Sequence, residues 1–224
     1  MTADAAPAIV VMAEAPRPGA VKARLEPLLG RDGCARLQAA LVARAAAWAV
    51  EHAAPGAAHV AYAPAGAGPD VARLVPDGVT LLPQAGDVLG ARLEGAFRAA
   101  AKRTGRAVIM VGTDVPGLGR RHAQAVADDL AAGVDVSIGP ATDGTYYLIA
   151  AREPHPALFA IDPAAWGGGE VTQLTLASLL KAELSVGLLR TERVLATPGD
   201  AAALVADPLA PPDVVAALTP ASRA

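Results

Sequence analysis

The sequence predicts an α/β fold, a single three-layer α/β/α domain built on a mostly parallel, mixed sheet. Three observations carry this expectation. Short β-branched runs alternate with amphipathic stretches of helical period along the chain. Two runs, residues 8–13 and 107–111, are apolar at every position, as strands covered on both faces are. No internal repeat and no dividing linker interrupts the 224 residues, so the chain reads as one domain with a core over about 8–206 and a C-terminal tail over 207–224.

The elements follow in order. The strand at 8–13 leads into a loop over 14–20 that contains Pro16, Pro18 and Gly19. Asp32 can cap a long helix running to about residue 49, with Cys34, Leu37, Leu41, Ala45 and Trp48 on one stripe. Residues 59–63 and 79–82 are short strand candidates. A helix over 88–103 places Leu89, Leu93, Ala96, Phe97 and Ala100 at core spacing, with Asp87 as an ordinary N-cap. The second strong strand, 107–111, precedes a helix over 122–132. Strands at 134–138 and 145–150 flank the turn residues Asp143 and Gly144, which predicts one antiparallel pair. A helix over 171–184 and a strand over 185–189 follow. Two short terminal helices, 201–206 and 213–218, are separated by Pro208, Pro211 and Pro212, and fraying is expected from about Thr219.

Composition excludes several classes of protein. Hydrophobic residues make up 53%, so the chain is not globally disordered. Aromatics are 3% and the formal net charge is -3, which provides neither a stacking platform nor the basic surplus of a nucleic-acid partner. Cys34 is the only cysteine, so there is no internal disulfide and no thiolate metal cluster. The first residues carry no basic n-region, and the apolar run at 8–13 is too short to span a bilayer. A cytoplasmic protein without a membrane span is the expectation. The four histidines are scattered without ligand spacing.

Open α/β sheets bind ligands beyond the carboxyl ends of their strands. After the first strong strand, Pro16 and Pro18 stiffen a loop in which Gly19 permits close backbone approach, and Lys22 and Arg24 supply two cations suited to phosphate. The segment reads equally as a solvated basic turn. It is neither a P-loop nor a dinucleotide fingerprint. After the second strong strand, Thr113 and Asp114 precede Pro116. Asp114 can hold a divalent ion against a diphosphate, or merely shape the turn. Asp143, Gly144 and Tyr146 form either a plain hairpin or the rim of a site. Gly90 and Arg92, at a helix start, can receive an anion or a ribose edge. Trp166, followed by three glycines, anchors either a lid or a surface loop.

Taken in order, Ala-Pro-x-Pro-Gly-x-Val-Lys-x-Arg-Leu, Leu-Gly-x-Arg, Gly-Thr-Asp-x-Pro-x-Leu and Gly-Pro-Ala-x-Asp-Gly-x-Tyr-Tyr-Leu-Ile resemble a family of bacterial transferases with the glycosyltransferase-A, or nucleotide-diphospho-sugar transferase, fold. Some members are described as glycosyltransferases of arsenosugar pathways or as partners of radical SAM proteins. Distant relatives are the guanylyltransferases for molybdenum cofactor and for phospholactate. The resemblance runs from about residue 9 to residue 200. It implies that residues 15–24, including Ala15, Pro16 and Gly19, hold a nucleotide, with Lys22 and Arg24 near its phosphates. Asp114 takes the role of a metal-holding aspartate for magnesium or manganese, and Asp143, Gly144, Tyr146 and Trp166 lie by the acceptor. The sequence departs from the family pattern at Glu14, Ala23, Thr145 and Ala196. Relatives carry an aspartate at the last of these, a second metal ligand, for which Asp200 is a nearby substitute.

The resemblance implies glycosyl transfer from a nucleotide-sugar to a small-molecule acceptor, with Lys22, Asp114 and Asp143 as the catalytic set. Nucleotidyl transfer with release of pyrophosphate is the alternative, and nucleotide binding without turnover is a third reading. Alanine-rich helices leave an oligomer open.

Overall fold

The computed structural model describes residues 6–219. Seven strands form one sheet: β1 Ala8–Glu14, β2 Ala58–Ala63, β3 Thr80–Pro83, β4 Val108–Val111, β5 Val136–Pro140, β6 Tyr146–Ala151 and β7 Val186–Leu188. Their order is β3-β2-β1-β4-β6-β5-β7. Every pairing is parallel except those of β6, which runs antiparallel to both β4 and β5. The helices are α1 Glu26–His52, α2 Gly68–Ala72, α3 Leu89–Thr104, α4 Arg120–Ala131, α5 Val171–Lys181, α6 Pro198–Val205 and α7 Pro212–Leu218. Among the described residues no helix is long and apolar enough to cross a membrane.

The pleat sorts the strand side chains between two apolar layers. Ile9, Val11 and Ala13 of β1 face α1 and α4 through Val42, Ala46, Ala49 and Val126. Ala8 and Val10 face the other way, toward Leu93, Phe97 and Ala100 of α3 and Leu179 of α5. Both faces of β1 and β4 are therefore covered, which is why these strands are apolar at every position except Glu14, the exposed last residue of β1. A third apolar group joins Leu25, Leu37 and Leu41 to Leu195, Ala201, Val214 and Leu218.

That third group corrects the expected tail. The side chains of Val214 and Leu218 in α7 are buried against α1, so residues 212–218 belong to the packed body. Two expected caps are also corrected. Asp32 caps nothing: the helix starts earlier, at Glu26, with Pro27 in its first turn, and breaks at Gly30, whose φ of 67° glycine alone adopts without strain. Asp87 lies outside α3, whose N-cap is Val88 without a side-chain hydrogen bond. The short helix α2 carried no period long enough to predict it.

Sheet register brings three loops to one edge. Val11 of β1 pairs with Val111 of β4, and Val111 pairs with Leu148 of the antiparallel β6. The segments that follow β1, follow β4 and precede β6 consequently emerge side by side.

Candidate active site

A cleft of about 520 Å³ opens where those loops emerge, with Glu14, Lys22, Arg24, Arg92, Asp114 and Asp143 among its lining residues. Its central contact joins two loops far apart in sequence: Lys22 Nζ lies 2.5 Å from Asp114 Oδ1. Local backbone geometry aims the lysine. Lys22 has a left-handed backbone at φ 53° and ψ 37°, which costs a non-glycine residue about 1–2 kcal/mol. Its carbonyl accepts hydrogen bonds from Leu25 N–H at 2.8 Å and from the Cys34 thiol at 3.4 Å. Leu25, fully buried below, pins the turn to the third apolar group.

The Lys22 side chain is only 7% exposed, whereas that of Asp114 is 45% exposed. The ammonium also donates to Leu195 O at 3.4 Å. Thr113 Oγ donates to Asp114 Oδ1 at 2.9 Å, and Leu195 N–H donates to the Asp114 carbonyl at 2.7 Å. Asp114 is thus fixed from three sides, and its Oδ2 takes no hydrogen bond among the described residues. Thr113 is a buried positioning residue rather than a free phosphate donor.

Arg24 stands exposed on the cleft wall. Arg92 reaches across from α3, with Nε donating to Gly86 O at 2.9 Å, and borders both the cleft and an adjoining hollow of about 350 Å³ that includes Ala15 and Arg17. Asp143 also lines the cleft. Its Oδ1 accepts from Thr145 N–H at 3.0 Å and Thr145 Oγ at 2.7 Å, which holds the carboxylate in place, and its Oδ2 takes no hydrogen bond among the described residues.

Several expected site residues sit elsewhere. Pro16 and Gly19 line neither the cleft nor the hollow. Gly19, at φ 75°, serves the turn closed by Ala20 N–H to Arg17 O and packs toward Arg31. Gly90 touches no phosphate space, because a Cβ there would come within 2.6 Å of the Trp166 indole nitrogen. At Gly144, with φ 85°, a Cβ would collide with the Gly169 carbonyl. Both glycines therefore exist for close packing of the segment after Trp166. Trp166 itself lies outside the cleft but lines an annex to it, with its ring edge-on to Tyr146 at 6.4 Å between centroids. Tyr146 lines both spaces. Its hydroxyl is buried without a partner among the described residues, and burial pushes the phenol well above its ordinary value.

Asp200 does not replace the missing second acid. Its Oδ2 accepts from Thr197 N–H at 2.9 Å and Thr197 Oγ at 2.7 Å, capping α6, and its Oδ1 faces Arg193 at 3.1 Å. Burial opposes its ionisation, but these bonds prevail and hold the carboxyl below its ordinary range. Ala196 is the residue that borders the cleft. Among the described residues no cluster of three or more histidine, cysteine or acidic side chains exists. With Oδ1 of Asp114 engaged and Oδ2 open, the donor set fits a magnesium or manganese ion that arrives with phosphate oxygens, not a resident one.

Two cleft residues escaped the sequence reading. Gln38 Nε2 donates to Glu14 O at 3.0 Å, and Gln84 Nε2 donates to Ala61 O at 2.8 Å and Ala13 O at 3.2 Å. They tie the cleft to backbone carbonyls near the carboxyl ends of β1 and β2. Gln38 was detectable as the one amide inside the apolar stripe of α1; Gln84 carried no signal beyond its place after a strand.

Comparison with known proteins bears on the family and the fold. A family profile described as an uncharacterized protein conserved in bacteria (DUF2064) matches residues 46–167. No curated protein matches the sequence. Among solved structures, one provisionally named a nucleotide-diphospho-sugar transferase, from Desulfovibrio desulfuricans, is 31% identical over 84% of this chain and 81% of that chain, with a TM-score of 0.74. The mannose-1-phosphate geranyltransferase of Thermus thermophilus is similar at 15% identity over 84% and 74%, with a TM-score of 0.54. A cytidylyltransferase of Leptospira borgpetersenii is similar at 11% identity over 86% and 82%, with a TM-score of 0.52. The fold is that of the nucleotide-diphospho-sugar transferases.

Proposed function

The chain belongs to the bacterial DUF2064 family, and from that premise and the cleft we propose that it is a transferase acting on a nucleotide-activated donor, moving a glycosyl group from a nucleotide-sugar to a small-molecule acceptor. The meeting of Lys22 and Asp114 at the carboxyl ends of β1 and β4 carries this reading. It concentrates cationic and acidic groups where an open α/β sheet takes its ligand. The name of the Desulfovibrio relative supports it.

In the proposed reaction the donor's diphosphate lies among Lys22, Arg24 and Arg92. The bond between the sugar's anomeric carbon and the diphosphate oxygen breaks, and negative charge grows on the departing group. Fixed cations at that position stabilise the transition state more than the ground state. Asp143, in the lining of the same cleft, takes the proton of an acceptor hydroxyl as its oxygen bonds to the anomeric carbon. A magnesium or manganese ion carried in with the nucleotide would be held by Asp114 and would add to the neutralisation of the phosphates.

Three cationic side chains around one cleft also suit a triphosphate, which supports nucleotidyl transfer as a second reading. Products separate the two. Incubation with nucleotide-sugars and nucleoside triphosphates, each with a panel of acceptor alcohols and phosphates, releases nucleoside diphosphate in the first case and pyrophosphate in the second. Nucleotide binding with neither product would refute both.

A further inference from the structure

The cleft continues into an annex of about 260 Å³ under Trp166. Met12, Leu89, Gly112, Thr145, Tyr146 and Gly167 line both spaces, so the two are continuous. The inner wall of the annex is Leu93, Met110, Val111, Trp166 and Val171. At its mouth Leu89 is 42% exposed, a large apolar side chain left in water beside a cleft full of charge.

Two of the polar side-chain atoms around the annex are engaged elsewhere, and the other two are enclosed or covered by protein. Thr145 Oγ donates to Asp143, and Tyr147 Oη donates to Arg190 O at 3.1 Å. Tyr146 Oη is enclosed in protein, and the Trp166 indole nitrogen lies over Gly90. A ring or alkyl group entering the annex meets mainly apolar surface. A hydroxyl entering it gives up water where few partners are on offer, which weakens binding roughly ten-fold. The space suffices, since an apolar cavity of about 150 Å³ already holds benzene.

We propose that this annex is the acceptor subsite and that the acceptor is an alcohol bearing an aromatic ring or a short alkyl chain, not a sugar or polyol. The apolar part seats under Trp166. The hydroxyl projects back into the cleft toward Asp143, whose Oδ1 is tied to the mouth residue Thr145. The proposal rests on the transferase reading and adds the acceptor's chemical class to it.

Intrinsic fluorescence tests it without turnover. Trp166 lines the annex, while Trp48, the other tryptophan, is buried on the opposite face of the sheet and gives a constant background. Titration with benzyl alcohol or n-hexanol is expected to change the emission saturably, with half-saturation at least about ten-fold below that of glycerol. Trp166→Phe should abolish the signal. Leu89→Asp, at the exposed mouth where folding is safe, and Val171→Phe, which narrows the annex, should each raise half-saturation about ten-fold. A response to glycerol equal to that of benzyl alcohol, no response to either alcohol, or a response unaltered by both variants would overturn the proposal. Melting temperature with UDP, GDP, CDP and ADP is measured in parallel. Failure of every nucleotide to raise it defeats the transferase reading, whereas a nucleotide shift without an alcohol response defeats the annex alone.

Discussion

Replacing Asp114 with asparagine should tighten the binding of a nucleoside diphosphate in the absence of divalent cations, although it should cripple turnover. In the free protein the Lys22 ammonium lies 2.5 Å from Asp114 Oδ1, so its charge is satisfied before any phosphate arrives. A diphosphate must displace that pairing and also meets the carboxylate's own charge. Asparagine keeps the shape and can still accept the Thr113 hydrogen bond while removing both obstacles. Because Asp114 is 45% exposed, solvent screens the pair, and its worth belongs near the upper end of the surface range, about 1 kcal/mol. That corresponds to binding roughly five-fold tighter. Lys22→Met should act in the opposite direction. It removes a charge-assisted bond of about 1.5–3 kcal/mol to phosphate, a loss of roughly 10- to 150-fold. The measurement is isothermal titration in EDTA with whichever of UDP, GDP, CDP and ADP raises the melting temperature most. With magnesium present the advantage of Asp114→Asn should vanish, since the ion then loses its carboxylate. Opposite signs for the two halves of one ion pair distinguish a ligand site from a structural bridge. Weaker metal-free binding by Asp114→Asn, or unchanged binding by Lys22→Met, would refute the reasoning.

Asp143→Asn should lower turnover by about 10²- to 10⁴-fold while donor affinity, read by the same titration, stays within about two-fold. Gly144→Ala should destabilise the protein by at least about 2 kcal/mol in a urea titration, combining a left-handed alanine with a collision against Gly169. Burial, reinforced by the nearby Arg103 charge, makes His59 harder to protonate than its ordinary value of 6.5. Burial does the same for His122 despite its bond to Glu192. Below that pH the unfolded chain therefore binds more protons than the folded one. The stabilisation is complete above about pH 6.5 and is lost as pH falls through the lowered folded values. His59 has no partner at either ring nitrogen among the described residues, so His59→Leu should raise the urea midpoint more at pH 5 than at pH 8.

Much of the fold was legible because strands buried on both faces leave an unmistakable mark. In β1 and β4 nearly every position is apolar, since helices cover both sides. Lys22, Arg24 and Asp114 stood out for a related reason: charged residues directly after such strands lie where the chain leaves the core. The glycines misled. Gly19 and Gly90 were read as room for a ligand and Gly144 as a hairpin turn or site rim, but the space beside them is taken by a turn, by Trp166 and by Gly169. A glycine has no side chain to say what approaches it. Asp200 misled differently, because a carboxylate one helical turn from Ala196 is as good a cap as a ligand, and the Thr197 hydroxyl decided for the cap.

The amino-acid order alone determined the class of fold, the two central strands and the charged loops that leave them, all of which follow from local burial pattern and turn chemistry. Tertiary structure decided what those loops do together. Pairing Val11 with Val111 sets the two loops side by side, and the left-handed turn at Lys22 then points its ammonium at Asp114. Gln38 and Gln84 closing the strand ends, α7 joining the core and the apolar annex under Trp166 were likewise decided only in space. Each depends on contacts between residues remote in the chain, and hydrophobic period carries no information about which remote surfaces meet.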